Sequence, residues 1–127
     1  MTSADISTLI TRFGIGARAS TAVTHAGTGY FACTPEAPYD ATLSTVEQAR
    51  QMFAKAESRL AETGSSKDKL LFVAILLRDM QDVDAFNEAW DAWVADIEPP
   101  ARACFQAILA KPALKVETIM IYAVPSQ

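Results

Sequence analysis

The sequence has few of the residues on which metal and nucleotide chemistry depend. It contains one histidine, His25, and two cysteines, Cys33 and Cys104. No HExxH pattern or Cys/His cluster occurs, which argues against a metal site. Glycine-rich nucleotide patterns and the GxSxG pattern of serine hydrolases are missing too. We therefore expect no metal site and no nucleotide-binding motif.

Long apolar runs and a basic excess are also missing. No run reaches the roughly 18 apolar residues of a membrane-spanning helix. The start, MTSADISTLITRFGIG, lacks the basic and then apolar order of a secretory signal. The net charge of −4, with Lys and Arg scattered, disfavours nucleic acid as a partner. We expect a cytoplasmic protein with reduced thiols that binds neither membrane nor nucleic acid.

The composition is that of one globular domain, residues 1–127, half apolar and a fifth charged. A first helix is predicted from Ser44, which opens an SxxE capping-box pattern, to Gly64. A second begins near Asp82 or Asp84 and is ended by Pro99–Pro100. Strands are predicted at 20–27, 28–35, 69–80, 101–109 and 116–124.

The order is therefore strand, strand, helix, strand, helix, strand, strand. Two helices on one face of a mixed sheet is the natural two-layer arrangement, an α+β fold. The apolar run 69–80 is typical of a strand covered on both faces. A sheet this apolar would leave its second face bare in a monomer, so we expect an oligomer that covers it.

Arg102 stands at the head of what reads as a buried strand, 101–109. Burying a guanidinium is costly unless an anion lies beside it. That anion is either a carboxylate of the protein or a substrate. From the residues alone, a structural salt bridge at a subunit interface is the favoured interpretation.

Four segments, GYFACTPEAP, LLFVAILLRDMQDVDAFNEAWDAWV, PPARACFQAIL and KVETIMIYAV, resemble the RidA (YjgF-like) reactive intermediate deaminase family. These segments are most similar in sequence to the YoaB-like subgroup of the family. The resemblance implies a domain core that spans about 18–124. The resemblance implies a chorismate-mutase-like fold of the Bacillus type and a homotrimer with ligand clefts between subunits. It also implies cofactor-independent hydrolysis of 2-imino acids, such as 2-iminobutanoate or 2-iminopropanoate, or their enamine tautomers. The products are 2-keto acids and ammonia.

The resemblance assigns catalytic roles to two residues. Arg102 matches the arginine that grips the substrate carboxylate, for which a planar guanidinium offers two parallel hydrogen bonds. Glu117 matches a glutamate that orients the attacking water or transfers a proton, which a raised proton affinity would favour. The alternative is that Glu117 pairs with Arg102 or with a neighbouring subunit.

Four further residues are implied to contact the substrate. Asn87 matches an asparagine that orients a ligand or a loop, with a plain helix-to-loop hydrogen bond favoured. Cys104 shares the face of Arg102 and is a small apolar residue rather than a nucleophile, because no histidine is near to activate it. Ala32 and Cys33 stand where backbone donors would polarise the attacked group.

The chain departs from the family at two positions. Ala19 replaces an aromatic residue that forms one wall of the cleft, and Cys33 replaces a glycine. The extra thiol could narrow the pocket or make it sensitive to oxidation. These departures favour a second hypothesis, a non-catalytic carboxylate-binding or regulatory trimer on the same fold. A ribonuclease, a label often attached to relatives, is disfavoured by the acidic charge, and nothing bears on a chaperone-like role.

Overall fold

Residues 9–125 are described by the computed structural model. The predicted domain, 1–127, includes residues 1–8 and 126–127, which lie outside this range. The first half of the N-terminal stretch considered as a secretory signal also lies outside it. The elements, in chain order, are β1 Ile10–Ile15, β2 Ser20–His25, β3 Thr28–Cys33, α1 Thr45–Glu62, β4 Leu70–Leu77, α2 Val83–Trp93, β5 Ala101–Gln106 and β6 Val116–Ala123. Within the described range, neither helix is long and apolar enough to cross a membrane.

The six strands form one mixed sheet in the order β1-β2-β3-β6-β4-β5. Four of the neighbouring pairs are antiparallel, and only β4 and β5 run parallel. A parallel pair needs a crossover connection, and α2 supplies it. Helices and strands bury their apolar residues against each other in a single cluster. The predicted α+β fold, with two helices on one face of a mixed sheet, is confirmed.

The core follows from the alternation of side chains along the central strands. On β6, and on β4 from Val73 onward, every second residue points to the helices and is buried, while the residues between them face the other way. The apolar faces of α1 and α2 cover these positions. The strand residues of this core include Phe31, Cys33, Val73, Ile75, Leu77, Val116, Met120 and Tyr122.

Helix α1 has the predicted signals at both ends. The Ser44 side chain accepts a hydrogen bond from the Glu47 backbone N–H at 3.1 Å, as an N-cap should. At the other end Gly64 has φ of +86°, the left-handed conformation that glycine adopts without strain. The Ser65 N–H then bonds the Leu60 carbonyl at 2.8 Å, which completes a Schellman-type stop.

Three expectations about the elements are wrong. Strand β1 was not predicted, because it lies at a sheet edge and nearly all its residues are exposed, so no alternation marks it. Helix α2 ends at Trp93 rather than at the prolines. The Lys67 ammonium donates a hydrogen bond to the Trp93 carbonyl at 2.7 Å and so satisfies this end of the helix. Strand β5 is not buried: it is the other edge strand and most of its residues are exposed.

The sheet face opposite the helices is bare in the single chain. Three large apolar side chains on it, Tyr30, Phe105 and Ile119, are 44%, 47% and 45% exposed. They belong to three different strands, so the apolar surface spreads across the sheet. Contiguous apolar patches of this kind are uncommon on monomers. In the single chain, the second face of the sheet is therefore left uncovered, as the apolar sequence pattern predicted.

Candidate active site

Arg102 lies on β5 with its side chain on the helix side of the sheet. Its register partner on β4 is Val73, a core residue, and paired residues share a face. The guanidinium donates from Nη2 to Asn87 Oδ1 at 2.6 Å. Its carbon lies 5.3 Å from the centre of the Trp90 ring, a cation–π distance. Both contacts come from α2, one turn apart, so the helix positions the arginine.

Both partners of Arg102 are electrically neutral. Among residues 9–125, the ion pairs within 4.0 Å are Lys67–Asp96 and Lys69–Asp68, and Arg102 takes part in neither. The guanidinium has five N–H donors, and Asn87 accepts from one of them. Arg102 is also only half-buried. The Arg102 guanidinium is therefore held in a fixed position, and it keeps N–H donors that an anion could accept from.

A cavity of about 340 Å³ opens beside the guanidinium. Its lining comes from α2, from the turn before β5 and from β5 itself. The lining residues are Asn87, Trp90, Asp91, Pro99, Pro100 and Arg102. Small-molecule sites usually combine apolar walls with a few polar groups. This cavity has an aromatic wall, two prolines, one cation and one carboxylate.

Cys104 lies two residues beyond Arg102 and on the same side of the sheet, paired with the core residue Ile75. It is half-buried and packs against the core cluster. Burial raises the pKa of its thiol, and the charge of Arg102 offsets part of that rise. A thiol with a raised pKa is a poor nucleophile at neutral pH.

Cys33 and Ala32 point to opposite faces of β3. The Cys33 side chain is 1% exposed and bonds the Met52 carbonyl at 3.5 Å in the core. Burial raises the pKa of this thiol to about 11, against the opposing charges of Arg59 and Lys55. The expectation that this thiol narrows the pocket or is readily oxidised is thus wrong for the chain as folded.

Ala32 is exposed on the bare face, while its carbonyl accepts a hydrogen bond from Arg59 at 3.0 Å. Ala19, the other departure from the family pattern, is exposed in the turn between β1 and β2. Its carbonyl accepts from the Gly16 N–H at 2.9 Å. Neither alanine lines the cavity at Arg102.

Glu117 lies on the bare face, on the side of the sheet away from Arg102. Its register partner is Leu76, which is also paired with the exposed Phe105. The glutamate is half-buried among these apolar side chains. Burial raises the pKa of its carboxyl group, because loss of solvent disfavours the charged form. The local setting is that of a carboxylate with increased proton affinity.

Arg102 and Glu117 therefore do not meet within one chain. They are two strands apart, about 10 Å across the sheet at the usual strand spacing, and their side chains leave opposite faces. The suggestion that Glu117 pairs with Arg102 in the same chain is wrong. The helix side of β5 instead brings together Arg102, Asn87 and Cys104.

The sequence reasoning missed two contributors to the cavity. Trp90 was not predicted to lie at the site, yet its ring contacts the guanidinium. Asp91 was not singled out at all. Both follow Asn87 at spacings of three and four, which puts them on its side of α2. That spacing is the signal that could have identified them.

Comparisons with known proteins agree on the family. The sequence profile of the endoribonuclease L-PSP family matches residues 12–124. The chain is 33% identical over 119 residues to a RutC family protein of Haemophilus ducreyi, covering 94% of this chain and all of that protein. It is 36% identical over 115 residues to the RutC family protein YoaB of Escherichia coli, covering 91% and 98%.

The solved structure of a YjgF family protein from Neisseria meningitidis superposes with a TM-score of 0.85. The two sequences are 37% identical, and the match covers 95% of this chain and 99% of the other. The chain therefore belongs to the RidA/YjgF family, whose profile carries the name endoribonuclease L-PSP. Within that family it is most usefully compared with the RutC/YoaB proteins.

Proposed function

We propose that this protein hydrolyses small reactive 2-imino acids to 2-keto acids and ammonia, without a cofactor, in the cytoplasm. The observation that carries the proposal is the state of Arg102. Its guanidinium is fixed by an amide oxygen and an aromatic ring, forms no ion pair within 4.0 Å among residues 9–125, and borders a cavity. A 2-imino acid supplies the missing carboxylate.

The chemistry requires water, an electrophilic carbon and a path for protons. Water adds to the carbon of the C=N bond of the protonated imine, and that bond then breaks. The oxygen becomes the keto group, and nitrogen leaves with both water protons as ammonium. Arg102 fixes the carboxylate and so orients the carbon for attack. Glu117, whose pKa is raised by burial, holds the water and accepts and returns its proton.

These two roles require more than one copy of the chain. Arg102 and Glu117 leave opposite faces of the sheet, so a single substrate meets both only if they come from different copies. We propose the homotrimer as that assembly, with the bare faces of its sheets turned inward and the substrate clefts between subunits. The exposed apolar side chains of the bare face favour such burial.

A coupled assay tests the reaction. An amino-acid oxidase generates 2-imino acids from several amino acids, a carbonyl-directed reagent traps them, and keto-acid release is followed with and without the protein. Wild type should accelerate release and Arg102→Ala should not. Arg50→Ala, which removes the same charge from an exposed position on α1, should behave as wild type.

The other results have distinct meanings. If wild type has no effect on any imine but still binds keto acids through Arg102, the protein is a non-catalytic carboxylate binder. If Arg102→Ala hydrolyses imines as fast as wild type, the assigned role of Arg102 is wrong. Light scattering tests the assembly separately: a monomer at micromolar concentration would rule out the trimer and its shared cleft.

A further inference from the structure

The cavity beside Arg102 contains a second charged group that the proposed reaction has not used. Asp91 lines the same cavity, four residues after Asn87 and thus on the same side of α2. It is exposed to solvent. Among the ion pairs of residues 9–125 none involves Asp91, so its carboxylate and the Arg102 guanidinium are not within 4.0 Å of each other.

One small cavity thus presents two opposite charges that do not neutralise each other. The rest of the lining, Asn87, Trp90, Pro99 and Pro100, carries no charge. A ligand that carries only a carboxylate would satisfy Arg102 and leave Asp91 without a cationic partner. A ligand with a carboxylate and a cationic nitrogen would satisfy both.

We propose that Asp91 is a specificity-determining residue that recognises the cationic nitrogen of the ligand whose carboxylate lies on Arg102. The inference rests on the proposed function and adds a substrate class to it. The ligands it favours are 2-iminium acids, in which C=NH₂⁺ is next to the carboxylate, and the matching amino-acid zwitterions. A neutral imine or a 2-keto acid lacks the charge that Asp91 attracts.

The consequence is discrimination between substrate and product. Hydrolysis replaces the iminium nitrogen by a keto oxygen, which accepts hydrogen bonds and donates none. The product therefore faces the Asp91 carboxylate without an attractive contact. Asp91 favours the entry of the protonated imine and the departure of the keto acid, and touches neither the attacking water nor the carboxylate of the ligand.

Two stable probes that differ at this one position test the inference. 2-Aminobutanoate carries an ammonium group, and 2-oxobutanoate carries a keto oxygen in its place. Their dissociation constants are measured by titration calorimetry on the whole protein, for wild type, Asp91→Asn and Glu88→Gln. Glu88 is an exposed carboxylate on the same helix but does not line this cavity, so its variant loses the same charge.

Wild type should bind 2-aminobutanoate more tightly than 2-oxobutanoate. Asp91→Asn should weaken the amino acid on the order of fivefold, the size expected for an exposed charge pair, and should leave the keto acid unchanged. Glu88→Gln should change neither. The unchanged keto-acid affinity also verifies that the Asp91 variant is folded.

The failures are distinguishable. If wild type binds both probes equally, or if Asp91→Asn weakens both alike, the role of Asp91 is refuted while the carboxylate grip of the proposed function stands. If wild type binds neither probe, the proposed function loses its carboxylate site and this inference is refuted with it. Equal weakening by Glu88→Gln would show a general charge effect and also overturn it.

Discussion

Replacing Asn87 by aspartate tests whether the anion of Arg102 is a carboxylate of the protein or the carboxylate of a ligand. The replacement exchanges the amide nitrogen for an oxygen and adds one negative charge. The Asn87 oxygen already accepts from the guanidinium at 2.6 Å, and aspartate places an acceptor of the same shape there with a full charge. If Arg102 exists to stabilise the fold, this variant improves its pairing at no functional cost. If Arg102 exists to hold a ligand carboxylate, the new charge opposes that ligand.

The magnitude follows from the geometry of the guanidinium. Carboxylates on two of its edges lie about 6 Å apart, which gives a repulsion of about 3 kcal/mol at an effective dielectric constant of 20 and about 0.7 kcal/mol in water. Arg102 is half-buried, so about 1.5 kcal/mol is a reasonable middle value. That corresponds to an affinity loss on the order of tenfold. The new pair would stabilise the fold by up to about 1 kcal/mol.

The assay measures both quantities on the same preparation. Titration calorimetry with 2-oxobutanoate gives the ligand affinity, and urea unfolding gives the stability. Asn87→Asp should bind more weakly and unfold no earlier than wild type. Ala85→Asp adds the same charge at an exposed position in the first turn of α2 and should leave affinity unchanged. An Asn87→Asp protein that binds the keto acid as tightly as wild type would refute the assignment of Arg102 to a ligand.

Three further predictions concern the sheet. A Cβ on Gly29 would overlap the Tyr122 ring, so Gly29→Ala should lower the free energy of unfolding by about 2–3 kcal/mol in urea; an unchanged midpoint would contradict this contact. Burial raises the pKa of Glu117 above its ordinary 4.5, so the folded state keeps this proton longer than the unfolded chain, and stability falls as pH rises through that interval. Glu117→Gln should therefore unfold at a higher temperature than wild type at neutral pH and at the same temperature well below pH 4.5; a gain at both would point to another cause. Burial raises the pKa of Cys33 to about 11, so only about 10⁻⁴ of this thiol is ionised at neutral pH. A thiol reagent should therefore label Cys104 first and Cys33 only on unfolding. Rapid labelling of the folded Cys104→Ser variant would show that Cys33 is accessible and would contradict this prediction.

Most of the fold could be predicted because local signals agree with the final packing. Ser44 and Gly64 mark the ends of α1, and the apolar run of β4 marks a central strand. The exceptions are at the sheet edges, β1 and β5. An edge strand has one neighbour, and neither of these two strands contains a buried residue. Sequence pattern reports burial, so it reports edge strands poorly.

The site was only partly predictable, for a reason of register. Arg102 and Asn87 could be named from the motif, and the structure brings them into contact. Which face Glu117 takes depends on how β6 pairs with β4, and a shift of one residue would reverse it. No residue count along the chain gives that register. The role of Asp91 likewise depends on a cavity that forms only when α2 packs beside β5.

The aromatic support under Arg102 also makes the protein its own optical reporter. Trp90 and Trp93 are the chain's two tryptophans, and their ring centres lie 5.6 Å apart in one cluster. The indole emission of the whole molecule therefore originates in a single small volume, one side of which touches the guanidinium. An anion that arrives at Arg102 alters the electric field across Trp90, so occupancy becomes visible as a change in emission colour or intensity without any attached dye.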